Sequence, residues 1–208
     1  MQELLDSVKS LSTKERKALA ALLKRQGVNL YGVTPIYRRE PAHGSALSYA
    51  QQRQWFLWQL DPDSAAYTIP AALRLTGRLD VAALQRSFEH LVARHETLRT
   101  TFTQQGDEAL QIVHPSLPAT VEVEPLRIAD PLEREAAIKA RVEAHLQQPF
   151  DLEHGPLLRV RLLALGAEEH VLVLGMHHIV SDGWSMPILV DELIRLYQAE
   201  CQGVTAAL

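Results

Sequence analysis

The sequence predicts an α/β fold in which helices cover a mixed β-sheet. Segments with helical periodicity alternate with segments in which apolar and polar residues alternate along an extended chain. A continuous apolar run at 171–174 is typical of a strand that is buried on both faces. Together these patterns indicate helices packed on a sheet that contains a buried strand.

A short amphipathic helix is predicted near the start of the chain. Ser12 and Glu15 have the spacing of a capping box, and an apolar stripe follows them. A polar stretch that contains proline and glycine comes next and is typical of a linker. We therefore divide the chain into a helical leader, a linker and a main unit, over residues 1–36, 37–46 and 47–208.

Four further helices are predicted in the main unit. Three of them begin at the capping residues Ser48, Asp80 and Asp130. A long fourth helix begins at Ser185. His145 lies on the apolar stripe of the third helix, so we expect it to have a structural role.

Between the helices, runs of alternating or apolar residues predict strands. They cover residues 73–77, 98–103, 109–113, 120–126, 158–162 and 171–174. Arg159 and Arg161 alternate with apolar residues, which favours an exposed or partly exposed strand before the buried one.

Composition narrows the class of protein. The chain has 208 residues, of which 47% are hydrophobic and 22% charged, enough for a substantial core. Its net charge of -4 gives no electrostatic case for binding nucleic acid or an anionic membrane. The single cysteine, Cys201, excludes an internal disulfide and favours a reducing compartment. We expect the cytoplasm.

A polar cluster follows the buried run, where a strand leaves the core. His177 and His178 are adjacent, so on an extended strand their side chains point to opposite faces. One is expected to act in chemistry and the other in architecture. A neutral imidazole accepts a proton near pH 7, and the Asp182-Gly183 pair behind it is suited to a tight turn.

This cluster resembles the HHxxxDG signature of nonribosomal peptide synthetase condensation domains and of their relatives among chloramphenicol-acetyltransferase-like acyltransferases. Residues 48–57 resemble the first core motif of that family, and residues 94–102 resemble the second. A weaker likeness lies at 149–159. These motifs occur in the order found in the family, and each is independent evidence for the same resemblance.

The resemblance implies a chloramphenicol-acetyltransferase-like two-layer sandwich, of which this chain is the amino-terminal half of a pseudo-dimeric condensation domain. Such domains join a carrier-bound acyl or aminoacyl thioester to a carrier-bound aminoacyl acceptor. The implied partners are carrier proteins, the C-terminal half of the domain and a neighbouring adenylation domain. Substrates arrive on phosphopantetheine arms, and the domain itself binds no cofactor. The isolated half is expected to have negligible activity.

Within the signature, the resemblance makes His178 the catalytic residue and His177 structural. Asp182 at a partly buried turn needs a partner, and we expect Arg99, with Arg94 as the second choice. Gly183 is expected to lie near the substrate tunnel, its simpler role is a turn that needs a positive φ, and the two roles are compatible. Ser181, Trp184 and Ser185 are assigned to the tunnel. Opposed histidines without a third ligand argue against a metal.

Three alternatives stay open. An epimerisation domain shares the signature, although residues 94–102 and 183–186 favour condensation. A CoA-dependent acyltransferase uses similar chemistry with a soluble donor. The third alternative belongs to a different functional class: a noncatalytic module that docks carrier proteins. It predicts that His178→Ala leaves carrier binding unchanged.

Overall fold

The computed structural model of the protein describes residues 11–27 and 44–208. The chain divides into two units, 1–40 and 41–208. In the first, helix α1 spans Thr13–Arg25, and Ser12 with Glu15 forms the capping box that the sequence predicts. Most of the predicted linker, residues 37–43, lies outside the described residues.

The second unit alternates helices and strands. Its helices are α2 (Tyr49–Leu60), α3 (Val81–Arg94), α4 (Pro131–Leu146) and α5 (Ser185–Gln202), with a 3-10 helix at Glu96–Arg99. Its strands are β1 (Ser45–Ala46), β2 (Thr68–Thr76), β3 (Thr100–Gln105), β4 (Glu108–Val113), β5 (Val121–Pro125), β6 (Leu158–Ala164) and β7 (Glu169–His177). No helix within the described residues has both the length and the apolar character needed to cross a membrane.

The larger sheet has the strand order β2-β7-β6-β5. β7 pairs antiparallel with both β2 and β6, whereas β5 runs parallel to β6. The sheet is therefore mixed, as predicted. β7 lies between two neighbours along its length, and its register opposite β2 pairs Thr68 with His177 at the end of the strand.

Apolar side chains from β7 cover both faces of this sheet. Leu172 and Leu174 belong to a core cluster with residues of α3 and α5. Val171 and Val173 belong to another cluster, together with Ile138 of α4. Burial on both faces explains why the run at 171–174 is apolar without alternation.

A second sheet, β1-β4-β3, is smaller and entirely antiparallel. Trp55 of α2 is 3% exposed and shares a third core cluster with Phe102 of β3 and Phe150. The Trp55 ring stacks on Trp58 with centroids 5.0 Å apart. The packing of Trp55 against Phe102 attaches α2 to the smaller sheet, and Ile179, just beyond β7, packs in the same cluster.

The structure differs from the sequence-based expectation at several elements. β2 begins at Thr68, before its alternating part. Residues 96–99 form a 3-10 helix, so the next strand begins at Thr100 rather than at residue 98. β6 is more buried than predicted, because Leu163 faces the α4 side while Arg161 bonds Glu122 on β5 at 2.8 Å.

Candidate active site

The two histidines of the signature lie where β7 leaves the core. His177 is the last residue of the strand and is 4% exposed, whereas His178 follows it and is exposed. This difference is what neighbouring positions on an extended chain produce. Of these two histidines, His178 is therefore the one whose side chain is exposed to solvent.

The buried ring of His177 organises the turn after β7. Its Nδ1 accepts a hydrogen bond from the Ile179 amide at 3.0 Å, so the remaining proton belongs on Nε2. Rings of Tyr67 and Phe150 lie 6.2 and 5.9 Å from it. Burial, helped by the neighbouring His178, lowers the pKa of His177 to about 4. The ring is neutral near pH 7, as an Nδ1 acceptor requires.

Three residues that the sequence did not assign to the site hold the main chain of His178 and Ile179. The His178 amide donates to the Tyr67 carbonyl at 2.9 Å. Gln51 Nε2 donates to the Ile179 carbonyl at 3.3 Å, and Gln54 Nε2 lies 3.5 Å from the His178 carbonyl. Both glutamines belong to the first core motif, but their spacing indicates only a helix face, and nothing in the sequence indicates Tyr67.

Asp182 has a different partner from the one expected. It is exposed, and its Oδ1 accepts hydrogen bonds from the Trp184 amide at 3.1 Å, the Ser185 amide at 3.0 Å and the Ser185 hydroxyl at 2.8 Å. The Ser185 hydroxyl, followed by its amide, lowers the pKa of Asp182. The carboxylate thus stabilises the start of α5, where free amides favour a negative charge.

The expected pair between Asp182 and Arg99 is wrong for this chain, and so is the second choice, Arg94. Arg99 Nη1 donates to the His114 carbonyl at 2.6 Å. Arg94 Nε donates to Glu192 on α5 at 3.2 Å. Each arginine has a nearer acceptor, and the turn supplies its own donors to Asp182, so the carboxylate needs no cation.

The expectation that Gly183 needs a positive φ is also wrong. Its φ lies outside the positive range, in contrast to that of Gly203 at the end of α5. A Cβ built on Gly183 meets no described atom within 4 Å. The bonds to Asp182 shape this turn without a left-handed residue.

A small cavity separates the signature from the second core motif. Its volume is about 130 Å³, and Ser181 and Ser185 line it together with His95, Thr97 and Leu98. The Ser181 hydroxyl is buried without a hydrogen-bond partner among the described residues. Trp184, the third residue assigned to the tunnel, is 85% exposed. Within residues 11–27 and 44–208, no three histidine, cysteine or acidic side chains form a group suited to a metal.

Comparison with known proteins finds a family that matches most of this chain. A family model described as the condensation domain matches residues 42–208. One component of the linear gramicidin synthase of Brevibacillus parabrevis is 47% identical over 192 residues, which is 91% of this chain but 2% of that protein.

Two solved structures are similar in fold. A variant of the starter condensation domain of rhizomide synthetase in complex with C8-CoA is 30% identical, with a TM-score of 0.72, and the match covers 80% of this chain and 38% of that one. The complex of the X-domain and OxyB from teicoplanin biosynthesis gives 32% identity and a TM-score of 0.73, over 84% and 36% of the two chains. The chain thus spans well under half of these structures and a small part of the synthase. The predicted α/β fold is confirmed.

Proposed function

This chain belongs to the condensation-domain family, and on that basis we propose that it supplies the histidine-bearing half of a domain that forms amide bonds in nonribosomal peptide synthesis. The observation that carries the proposal is the exposure of His178 beside the buried, neutral His177, inside the segment that matches the family. The half is proposed to be inactive alone.

The proposed reaction joins two carrier-bound groups. The acceptor amine attacks the thioester carbonyl of the donor, a C–N bond forms, the C–S bond breaks, and the donor's carrier leaves as a thiol. Substrates are proposed to arrive on phosphopantetheine arms, with carrier proteins and a neighbouring adenylation domain as partners. The single exposed cysteine, Cys201, is compatible with a cytoplasmic synthetase.

His178 contributes in two ways to this reaction. Alignment of a bound amine with a thioester supplies up to about 7 to 11 kcal/mol of the barrier. Proton acceptance by a neutral imidazole adds roughly 10²- to 10⁴-fold in rate. Because a thioester is activated and a neutral amine is nucleophilic, positioning is the larger contribution.

Substitution of His178 tests the proposal in a complete condensation domain that contains this chain. His178→Ala removes both contributions, while His178→Gln keeps a polar side chain of similar reach but accepts no proton. We expect kcat to fall by about 10²-fold or more in the alanine variant and by less in the glutamine variant. Amide product is measured with both carriers loaded. Near-wild-type turnover in both variants would remove His178 from the mechanism.

A CoA-dependent acyltransferase is the second candidate. It is supported by the rhizomide synthetase domain, a similar structure that was solved in complex with C8-CoA. The complete domain is offered acyl-CoA and acyl-carrier thioesters side by side. Preference for the carrier thioester supports condensation, whereas preference for acyl-CoA supports a soluble donor.

A noncatalytic docking module is the third candidate, because the X-domain that this chain resembles is seen in complex with another protein, OxyB. This candidate predicts no amide product from the wild-type domain and carrier binding that is unchanged by His178→Ala. Product that depends on His178 excludes it.

A further inference from the structure

The position of the His178 ring depends on its main chain. The imidazole makes no hydrogen bond to any residue of the described part of the chain, so side-chain hydrogen bonds do not fix it. The main chain, in contrast, is bonded along its length: the His178 amide donates to the Tyr67 carbonyl, Gln54 Nε2 lies 3.5 Å from the His178 carbonyl, and Gln51 Nε2 donates to the Ile179 carbonyl at the shorter distance of 3.3 Å. A shift of this short segment therefore moves the ring.

Gln51 makes two different contacts with one side chain. Its Oε1 accepts a hydrogen bond from the main-chain amide of Ser48 at 3.0 Å. The main-chain amide of Gln51 donates in return to the Ser48 hydroxyl at 3.3 Å, which completes the capping box of α2. Its Nε2 donates to Ile179, 128 residues further along the chain. The same side chain thus closes the helix and holds the loop.

The capping box of α1 indicates which of these contacts requires glutamine. There Glu15 occupies the same position, with its Oε2 2.7 Å from the Ser12 amide. A carboxylate therefore satisfies the box as well as an amide does, in this chain as in helices generally. Only the bond to Ile179 needs a donor, and a carboxylate has none near neutral pH.

Helix α2, which carries Gln51, is fixed to the rest of the unit by its two tryptophans. Trp55 Nε1 lies 3.3 Å from Gln104 Oε1 on β3, and Trp58 Nε1 donates to the Phe150 carbonyl at 2.9 Å. Both indoles carry a hydrogen bond and apolar packing, so the helix is attached on two sides. Gln51 transmits the position of this attached helix to the loop.

We propose that Gln51 is a positioning residue for His178, because its amide connects the capped start of α2 to the Ile179 carbonyl and so sets where the imidazole lies. The proposal rests on the function proposed above. It adds a role to the first core motif beyond the formation of a helix.

The test is Gln51→Glu in a complete condensation domain that contains this chain. The substitution keeps the capping acceptor but places a carboxylate oxygen against the Ile179 carbonyl. We expect kcat to fall by about 10- to 100-fold, since small misplacements of a catalytic group have effects of that order. KM for the loaded carriers and the melting temperature are expected to stay near the wild-type values. A kcat within about twofold of wild type would overturn the proposal.

Gln52→Glu is the matched control. Gln52 is an exposed neighbour on α2 whose Nε2 donates to the Leu47 carbonyl at 3.1 Å, away from the loop. The substitution introduces the same charge and removes the same kind of bond. Wild-type kcat is expected here, and a loss equal to that of Gln51→Glu would overturn the proposal by showing a general effect of charge on α2.

Hydrogen exchange separates this proposal from the proposed function. In Gln51→Glu, the amides of Ile179 and Val180 are expected to exchange about tenfold faster than in the wild type, with no change in Gln52→Glu. Unchanged exchange overturns the positioning role even if the domain is active. If His178→Ala keeps full activity while exchange rises, the proposed function fails and the contact of Gln51 with the loop stands.

Discussion

At the scale of single residues, two adjacent imidazoles differ because of their surroundings. His177 is buried beside the rings of Tyr67 and Phe150, and its Nδ1 accepts a hydrogen bond from the Ile179 amide. His178, in contrast, is exposed to solvent. A buried group that accepts a hydrogen bond is unsuited to exchanging protons with a substrate. The geometry therefore agrees with assigning chemistry to the second histidine.

The buried histidine makes stability depend on pH. The pKa of His177 falls from 6.5 to about 4 on folding, so the unfolded chain binds more protons between those values. This contribution to stability is complete above pH 6.5 and is lost as the pH falls to about 4, where the loss approaches roughly 3 kcal/mol. His177→Asn keeps an acceptor for Ile179 but does not titrate. We expect it to be less stable at pH 7 and to lose less stability on acidification.

Urea denaturation at pH 7, 5.5 and 4.5 measures this difference. Comparison of the variant with the wild type cancels His145, whose pKa is also lowered, mainly by burial. Parallel curves for His177→Asn and the wild type would contradict the prediction.

At the scale of elements, helix starts could be predicted best. Ser48, Asp80 and Asp130 cap the helices that their patterns predicted, because a cap is a local contact with an amide a few residues away. The two-residue strand β1 gave no signal, since its pairing with β4 is non-local. The same limit explains the errors at Asp182: its choice between a distant arginine and the following amides depends on how the chain turns.

The start of α5 provides a test of the contacts made by Asp182. Asp182→Ala removes the acceptor of two amides and of the Ser185 hydroxyl, whereas Asp182→Asn keeps an oxygen in that place. We expect amides of the first turn of α5 to exchange about tenfold faster in the alanine variant, with a smaller change in the asparagine variant. Amide exchange in the loop that carries His178 is expected to respond strongly to Asp182→Ala, whereas the free energy of unfolding of the whole unit is expected to change little.

Asp191→Ala is the control for this experiment. Asp191 is exposed on the same helix, where it pairs with Arg195 at 2.9 Å, and such exposed pairs contribute little. Its exchange pattern at the start of α5 is expected to match that of the wild type. Equal effects of Asp182→Ala and Asp191→Ala would contradict a role of Asp182 in stabilising the start of α5.

At the scale of the whole molecule, β7 unites the fold and the site. The strand packs on helices at both faces, pairs with strands at both edges, and ends at His177. Its continuous apolar run made its burial predictable from the sequence. The partners of the loop that follows could not be predicted, because Tyr67 and Gln51 lie more than a hundred residues earlier in the chain.

Truncation of β7 is therefore expected to destabilise the whole unit. Leu174 is 1% exposed, and Leu174→Ala should reduce the free energy of unfolding by about 2–5 kcal/mol, as buried leucines do. Val123 on the edge strand β5 is 48% exposed, and Val123→Ala is expected to reduce it by less than about 1 kcal/mol. Denaturant midpoints compare the two. Similar midpoints for both variants would contradict a central role for β7.

The bonds from Gln51 and Tyr67 to the histidine loop also bear on how related synthetases are recombined. A hybrid gene with its crossover anywhere between codons 68 and 176 takes the loop from one parent and its supports from the other. Such a hybrid retains the alignment of the imidazole only if the two parents agree in how α2 contacts the loop. Crossovers that inherit both segments from one parent avoid that mismatch.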